Sequence, residues 1–138
     1  MAFIQMEYKS EALLRGTSIK VILPTDGMSG KWEPPFQTVY FLPGYSTTAM
    51  ELITYLNLRK QAELKGIAIV LPDGENLFYQ DLPQRMTFYS TYVGKELVEV
   101  TRKLFPLSHR REDTLYCGYF YGGYGALYNG MRYSILSK

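Results

Sequence analysis

The feature that most restricts the fold of this chain is a short apolar run that leads into a glycine turn. The run is Thr114-Leu115-Tyr116-Cys117, the turn is Gly118-Tyr119-Phe120-Tyr121-Gly122, and a helical pattern follows over 123–131. A strand that enters Gly-x-x-x-Gly and leaves it as a helix is the setting of a nucleophile elbow. Glycines two residues before and after the apex avoid steric clashes in so tight a turn. The residue at the apex is Phe120.

Two kinds of strand pattern precede the turn. Apolar residues alternate with polar ones over 4–9 and again over 19–23, with the turn Arg15-Gly16-Thr17 between them. This alternation predicts an antiparallel strand pair with one wet face at a sheet edge. By contrast, 38–42 and 67–71 are continuous apolar runs, which are typical of strands covered by helices on both faces.

Helical spacing separates these runs. The apolar positions are Ala49, Leu52, Ile53 and Leu56 in one helix, and Val93, Leu97, Val100 and Leu104 in another. A short helix between them is expected to run to Lys65, with Gly66 as its cap. The order strand, strand, strand, helix, strand, helix, strand, helix predicts one α/β domain over 1–138. We expect a mostly parallel sheet with helices on both faces and an N-terminal antiparallel strand pair.

The chain resembles the esterase D, S-formylglutathione hydrolase and tributyrin esterase group of α/β-hydrolases. The segments that carry the resemblance are 1–24, Tyr40-Phe41-Leu42-Pro43-Gly44-Tyr45-Ser46, 66–74, Phe105-Pro106-Leu107, Arg111-Glu112-Asp113-Thr114 and Gly122-Gly123-Tyr124-Gly125-Ala126-Leu127. They follow the family's order over nearly the whole chain. The resemblance implies a partial α/β-hydrolase fold and an ancestry among carboxylic ester hydrolases.

The departures from the family pattern concern its catalytic residues. The family's serine falls on Phe120, and Pro43 replaces the histidine of its usual His-Gly loop. The family's acid and histidine follow the serine in the order Ser, Asp, His, in a segment that we expect to lie beyond Lys138. No catalytic residue is therefore assigned, and the chain is predicted to be an inactive esterase-family fragment.

The parts of the site that depend on the backbone, which are the elbow turn and the oxyanion hole, are expected to be retained. The elbow glycines Gly118, Gly122 and Gly123 are present. The resemblance places the two oxyanion-hole N–H donors at Tyr45 and Tyr121, and a backbone donor does not depend on its side chain. The alternative function is therefore a non-catalytic binding or interaction module, which uses this remnant pocket for a small acyl ester or an exposed strand edge for a partner.

Other candidate nucleophiles and bases are weaker. Cys117 precedes the elbow in a strand that we expect to be buried, so a core thiol is favoured over a reactive one. His109, the only histidine, comes before the elbow strand, at the end away from the turn, and we expect it on a surface loop. The phenols of Tyr119 and Tyr121 lack a visible activator. No metal-ligand spacing and no cofactor motif is present, so neither is expected.

Composition limits the partners and the compartment. The chain has 15 Lys and Arg against 13 Asp and Glu, without a basic stripe, so neither nucleic acid nor membrane is expected as a partner. A single cysteine excludes an internal disulfide and favours a cytoplasmic location. A chain that ends at Lys138 would leave the elbow strand at the sheet edge. Self-association or a complementing chain at that edge is then expected.

Overall fold

A computed structural model describes residues 2–25, 33–43, 49–72, 81–82, 87–88 and 91–118. Its strands are β1 (Ala2–Ser10), β2 (Arg15–Leu23), β3 (Gln37–Leu42), β4 (Ile67–Pro72), β5 (Asp81–Leu82), β6 (Thr87–Phe88) and β7 (Thr114–Gly118). Five of them form one sheet in the order β1-β2-β4-β3-β7, and β5 pairs with β6 separately. β1 and β2 are antiparallel, as predicted, but the turn between them is 11–14, and the predicted turn Arg15-Gly16-Thr17 belongs to β2. By contrast, β4, β3 and β7 run parallel to one another. β2 joins the two parts by pairing antiparallel with β4.

Within these described ranges, three helices and two short helical turns connect the strands. The helices are α1 (Ala49–Tyr55), α2 (Leu58–Lys65) and α3 (Leu97–Leu104). A π-helical turn, Tyr92–Glu96, leads directly into α3, and a 3₁₀ turn, Arg111–Asp113, precedes β7. Gly66 caps α2 as predicted: its φ of 66° is left-handed, and its N–H donates to the Ala62 carbonyl oxygen at 2.8 Å.

The central strands β2 and β4 are buried on both faces, which confirms the predicted α/β class. Side chains of β2 and β4 alternate between two separate cores, because neighbouring residues of a strand point to opposite faces. Val21 and Val70 pack into the core next to the π-helical turn and α3, whereas Ile22 and Ile69 pack into the core next to α1 and α2. The continuous apolar run therefore correctly predicted that β4 is covered on both faces.

Two residues of the predicted helical faces are exposed. Leu56 is 42% exposed because α1 ends at Tyr55 and the following Asn57 is left-handed, with a φ of 53°. Leu104 is 54% exposed at the last residue of α3. The buried residues of α3 are Leu97, Val98 and Thr101, whereas the pattern predicted Leu97, Val100 and Leu104 on this face.

Candidate functional site

The predicted site lies where the parallel strands end. Leu42, the last residue of β3, is the register partner of Gly118, the last residue of β7. Leu42 and Gly118, which precede the two predicted site segments, therefore lie side by side at the same edge of the sheet. The carboxyl edge of a parallel sheet is where open α/β folds bind their ligands.

Most predicted site residues fall beyond these two starting points. The following lie outside the described residues: Tyr45, Tyr119, Phe120, Tyr121, Gly122 and Gly123. The structure therefore positions the two strands that precede these residues in the sequence, and the assignment of the residues themselves stays a prediction.

Tyrosine side chains hold β7 against the helical layer. The Tyr116 hydroxyl donates a 2.7 Å hydrogen bond to the Val93 carbonyl oxygen in the π-helical turn. The Tyr116 ring meets the Tyr40 ring edge-on, with 5.9 Å between the centroids, a favourable aromatic geometry. β7 is thus held by a hydrogen bond to the π-helical turn and by a ring contact with β3.

Tyr40 is fully buried next to this contact. Its hydroxyl lies 2.8 Å from the Thr101 Oγ1, and the Thr101 hydroxyl donates to the Leu97 carbonyl oxygen at 2.8 Å. Burial raises the pKa of Tyr40, against smaller opposing effects from the Thr101 hydrogen bond and Arg102. The phenol therefore stays protonated at neutral pH, and it packs and bonds rather than acting as a base.

A second polar cluster connects the N-terminal hairpin to the π-helical turn. The Glu96 carboxylate accepts a hydrogen bond from the Tyr8 hydroxyl at 3.0 Å and another from the Ala12 N–H at 2.7 Å. Burial, and then the neighbouring Tyr92 and Glu96, raise the pKa of Tyr8. This cluster escaped the sequence analysis, because its partners are 88 and 84 residues apart.

A third polar cluster lies at the opposite end of the parallel strands from the predicted site. The Ser108 hydroxyl donates to the Asp113 Oδ2 at 2.7 Å, and the Gln37 amide donates to the Asp113 Oδ1 at 3.4 Å. His109 is exposed beside them, as predicted. A hydrolytic triad needs histidine between serine and carboxylate, whereas here the serine bonds to the carboxylate directly. This end is also about 13 Å from Gly118, at about 3.3 Å per strand residue.

Cys117 is half-buried, and the prediction of a fully buried thiol was wrong. The reason is its position on β7, which is the outermost strand of the five-stranded sheet. Among the residues that the structure describes, β7 therefore has a neighbouring strand on one side only. Leu115, two residues earlier and therefore on the same face, is 56% exposed.

A surface cavity of about 340 Å³ lies where α1 meets α2, and its lining contains none of the predicted site residues. The residues that line it are Met50, Ile53, Thr54, Asn57 and Arg59. Within the described ranges, no three His, Cys, Asp or Glu side chains are grouped so as to hold a metal ion. No helix in the same ranges is long and apolar enough to cross a bilayer.

Comparison with known proteins relates this chain to esterases. It is 34% identical to an acetyl esterase from Caldicellulosiruptor saccharolyticus over 97% of its own length and 52% of that protein. Among solved structures it resembles FphF, a fluorophosphonate-binding serine hydrolase of Staphylococcus aureus, with a TM-score of 0.81 and 26% identity over 96% of this chain and 54% of that one.

A second solved structure agrees. The S-formylglutathione hydrolase FrmB of Staphylococcus aureus gives a TM-score of 0.79 and 26% identity, over 96% of this chain and 54% of that one. No family model matches the chain. The chain spans about half the length of each of these three proteins.

Proposed function

Because this chain is related to the N-terminal half of the esterase D and S-formylglutathione hydrolase group of α/β-hydrolases, we propose that it forms an esterase-like domain that does not hydrolyse esters. One observation from the sequence carries the proposal: Phe120 follows Gly118 by two residues, at the position that the resemblance assigns to the family's serine. A benzyl side chain has no atom that can attack an acyl carbon.

No described residue offers a substitute for the serine. The Cys117 thiol lies within β7, and His109 lies at the other end of that strand, so the two cannot form a nucleophile–base pair. The Ser108 hydroxyl is bonded to Asp113. The raised pKa values of Tyr8 and Tyr40 keep these phenols protonated. None of these groups is therefore arranged as a nucleophile with a neighbouring base.

The ligand class of the remnant site is proposed from the relatives. Their names include an acetyl esterase and S-formylglutathione hydrolases, so we propose that a small acyl group is what the backbone N–H groups of Tyr45 and Tyr121 would face. The side-by-side start of the two loops at Leu42 and Gly118 supports this pairing of donors. A cytoplasmic location is also proposed, on the single cysteine.

The proposal is tested with p-nitrophenyl acetate and the purified 138-residue chain. We expect nitrophenolate release at the rate of a heat-denatured sample of the same protein, with no burst. A burst equal to the chain concentration would show acylation and would overturn the proposal. The variant Cys117→Ala removes the only thiol and identifies any release that arises from thiol chemistry instead of from the elbow.

A second candidate function is a binding module that uses a strand edge. The observation that favours it is the position of β7 at one edge of the sheet that the described residues form, with Leu115 exposed. Strand edges present unpaired backbone groups to a partner.

A further inference from the structure

We propose that the surface cavity between α1 and α2 binds a small carboxylate with a short apolar tail. The cavity has a volume of about 340 Å³ and is lined by Met50, Ile53, Thr54, Asn57 and Arg59. Its lining shares no residue with the predicted remnant site of the elbow. The inference concerns binding, and it does not depend on whether the chain hydrolyses esters.

The cavity lies where the chain changes direction at Asn57. α1 ends at Tyr55 and α2 begins at Leu58. Between them Asn57 is left-handed, with a φ of 53° and a ψ of 44°, and a left-handed residue interrupts a right-handed helix. The end of α1 and the start of α2 therefore meet at an angle instead of forming one rod, and both helices contribute side chains to the cavity.

The charge of the lining selects the charge of the ligand. Arg59 is the one charged residue among the five that line the cavity, whereas Glu51 of α1 and Glu63 of α2 do not line it. Within the described ranges, Arg59 takes part in no ion pair. A guanidinium in this position favours an anion, and its planar fork matches a carboxylate.

The Arg59 guanidinium is oriented before any ligand binds. Its central carbon lies 4.3 Å from the centroid of the Phe3 ring, and Phe3 packs against the core that contains Ile53 and Leu58. This cation–π contact positions the guanidinium without using an acceptor oxygen, so its N–H groups remain available for a carboxylate. A group that is held in place loses less conformational entropy on binding.

The other lining residues restrict the ligand further. The Asn57 side chain does not cap α2, so its amide can act as a second donor. The Thr54 hydroxyl already donates to the Met50 carbonyl oxygen at 3.0 Å. Met50 and Ile53 supply an apolar wall, which a hydrocarbon tail would cover. Inorganic phosphate has no such tail, and its second charge would have no cation in the lining. A carboxylate with a short tail therefore fits best.

The test is an NMR titration of the full ¹⁵N-labelled 138-residue chain with sodium hexanoate at constant ionic strength. We expect the Arg59 Nε–H and the Asn57 side-chain amide to shift together, with a dissociation constant of about 1 mM. Hexanamide, which has the same tail without the charge, should bind at least about tenfold more weakly. Acetate, which has the charge without the tail, should also bind at least about tenfold more weakly.

Matched variants locate the site. Arg59→Gln should weaken hexanoate binding at least about tenfold. Lys60→Gln, at the exposed neighbouring residue, removes the same charge from the chain and should leave the affinity unchanged. Asn57→Gly keeps the left-handed backbone accessible and removes the amide, so it should weaken binding about threefold. Thermal unfolding checks that the variants fold, and the comparison of hexanoate with hexanamide needs no variant.

Several results would overturn the proposal. One is the absence of hexanoate-dependent shifts at Arg59 and Asn57 at concentrations up to about 50 mM. Others are equal affinities for hexanoate and hexanamide, equal weakening by Arg59→Gln and Lys60→Gln, or tighter binding of inorganic phosphate than of hexanoate. Shifts at Leu42 and Gly118 without shifts at the cavity would assign hexanoate to the predicted remnant site instead.

Discussion

The Tyr116 hydroxyl of β7 donates a 2.7 Å hydrogen bond to the Val93 carbonyl oxygen of the π-helical turn. Tyr116→Phe keeps the aromatic ring and removes the hydroxyl that donates this bond. We expect the free energy of unfolding in urea to fall by about 1 kcal/mol. Tyr55→Phe, at a tyrosine that is 77% exposed, is the matched control and should change it by less than about 0.5 kcal/mol. Equal effects of the two variants would contradict this role for Tyr116.

The Glu96 carboxylate connects the N-terminal hairpin to the π-helical turn through Tyr8 and Ala12. Glu96→Gln weakens two charge-assisted hydrogen bonds, so we expect the free energy of unfolding to fall by about 1–3 kcal/mol. Tyr8→Phe should cost less, and the double variant should cost less than the sum of the two. Additive single effects in this double-mutant cycle would show that the 3.0 Å contact contributes nothing.

Alkaline pH should destabilise the fold through Tyr8. Burial, aided by Tyr92 and Glu96, raises the pKa of Tyr8 above that of a tyrosine in an unfolded chain, which is near 10. The contribution of Tyr8 to stability is therefore complete below about pH 10 and is lost as the pH rises toward the folded-state pKa. Above about pH 10, the slope of unfolding free energy against pH should be shallower in Tyr8→Phe by about one proton. Identical slopes in the two proteins would refute the raised pKa.

The left-handed cap of α2 gives a test with an internal control. Gly66 has a φ of 66°, where a Cβ is strained, so Gly66→Ala should lower the free energy of unfolding by about 1 kcal/mol. Gly16, in β2, has open space of at least 4 Å around the position that a Cβ would take, and its backbone is not left-handed. Gly16→Ala should be neutral or slightly stabilising. The difference between the urea unfolding midpoints of Gly66→Ala and Gly16→Ala measures the backbone strain that a Cβ causes at position 66.

Restoring serine at the elbow should not restore hydrolysis. Phe120→Ser supplies a hydroxyl, but no histidine near the elbow is available to take its proton, because His109 lies at the far end of β7. We expect p-nitrophenyl acetate turnover by this variant to equal that of the unaltered chain. A rate clearly above it would show that the chain contains a general base that the sequence does not reveal.

The elements with regular patterns were predictable from the sequence. The alternation in β1 and β2 and the continuous apolar run of β4 indicate which faces of the sheet are covered. The glycine after α2 indicates a local backbone preference, the left-handed cap. The relation to esterases was also predictable, because its motifs are local.

The unpredicted features depend on long-range contacts. Thr101 is buried because its hydroxyl bonds to the Leu97 carbonyl oxygen and to Tyr40, and the latter is 61 residues away. The contact between Tyr8 and Glu96 spans a still longer separation. Cys117 is less buried than its apolar neighbours suggest, because strand order decides which strand lies at an edge. A pattern within one element contains no information on these pairings.

The bonds that hold β3 and β7 together at their far end have an evolutionary consequence. The Asp113 carboxylate accepts hydrogen bonds from Ser108 and Gln37 there. The aromatic rings of Tyr40 and Tyr116 are in contact within the sheet. None of these contacts involves residue 120. Selection for a folded protein and selection for a catalyst therefore act on different positions, and a gene of this kind can accumulate changes at the apex of the turn while natural selection still preserves its architecture.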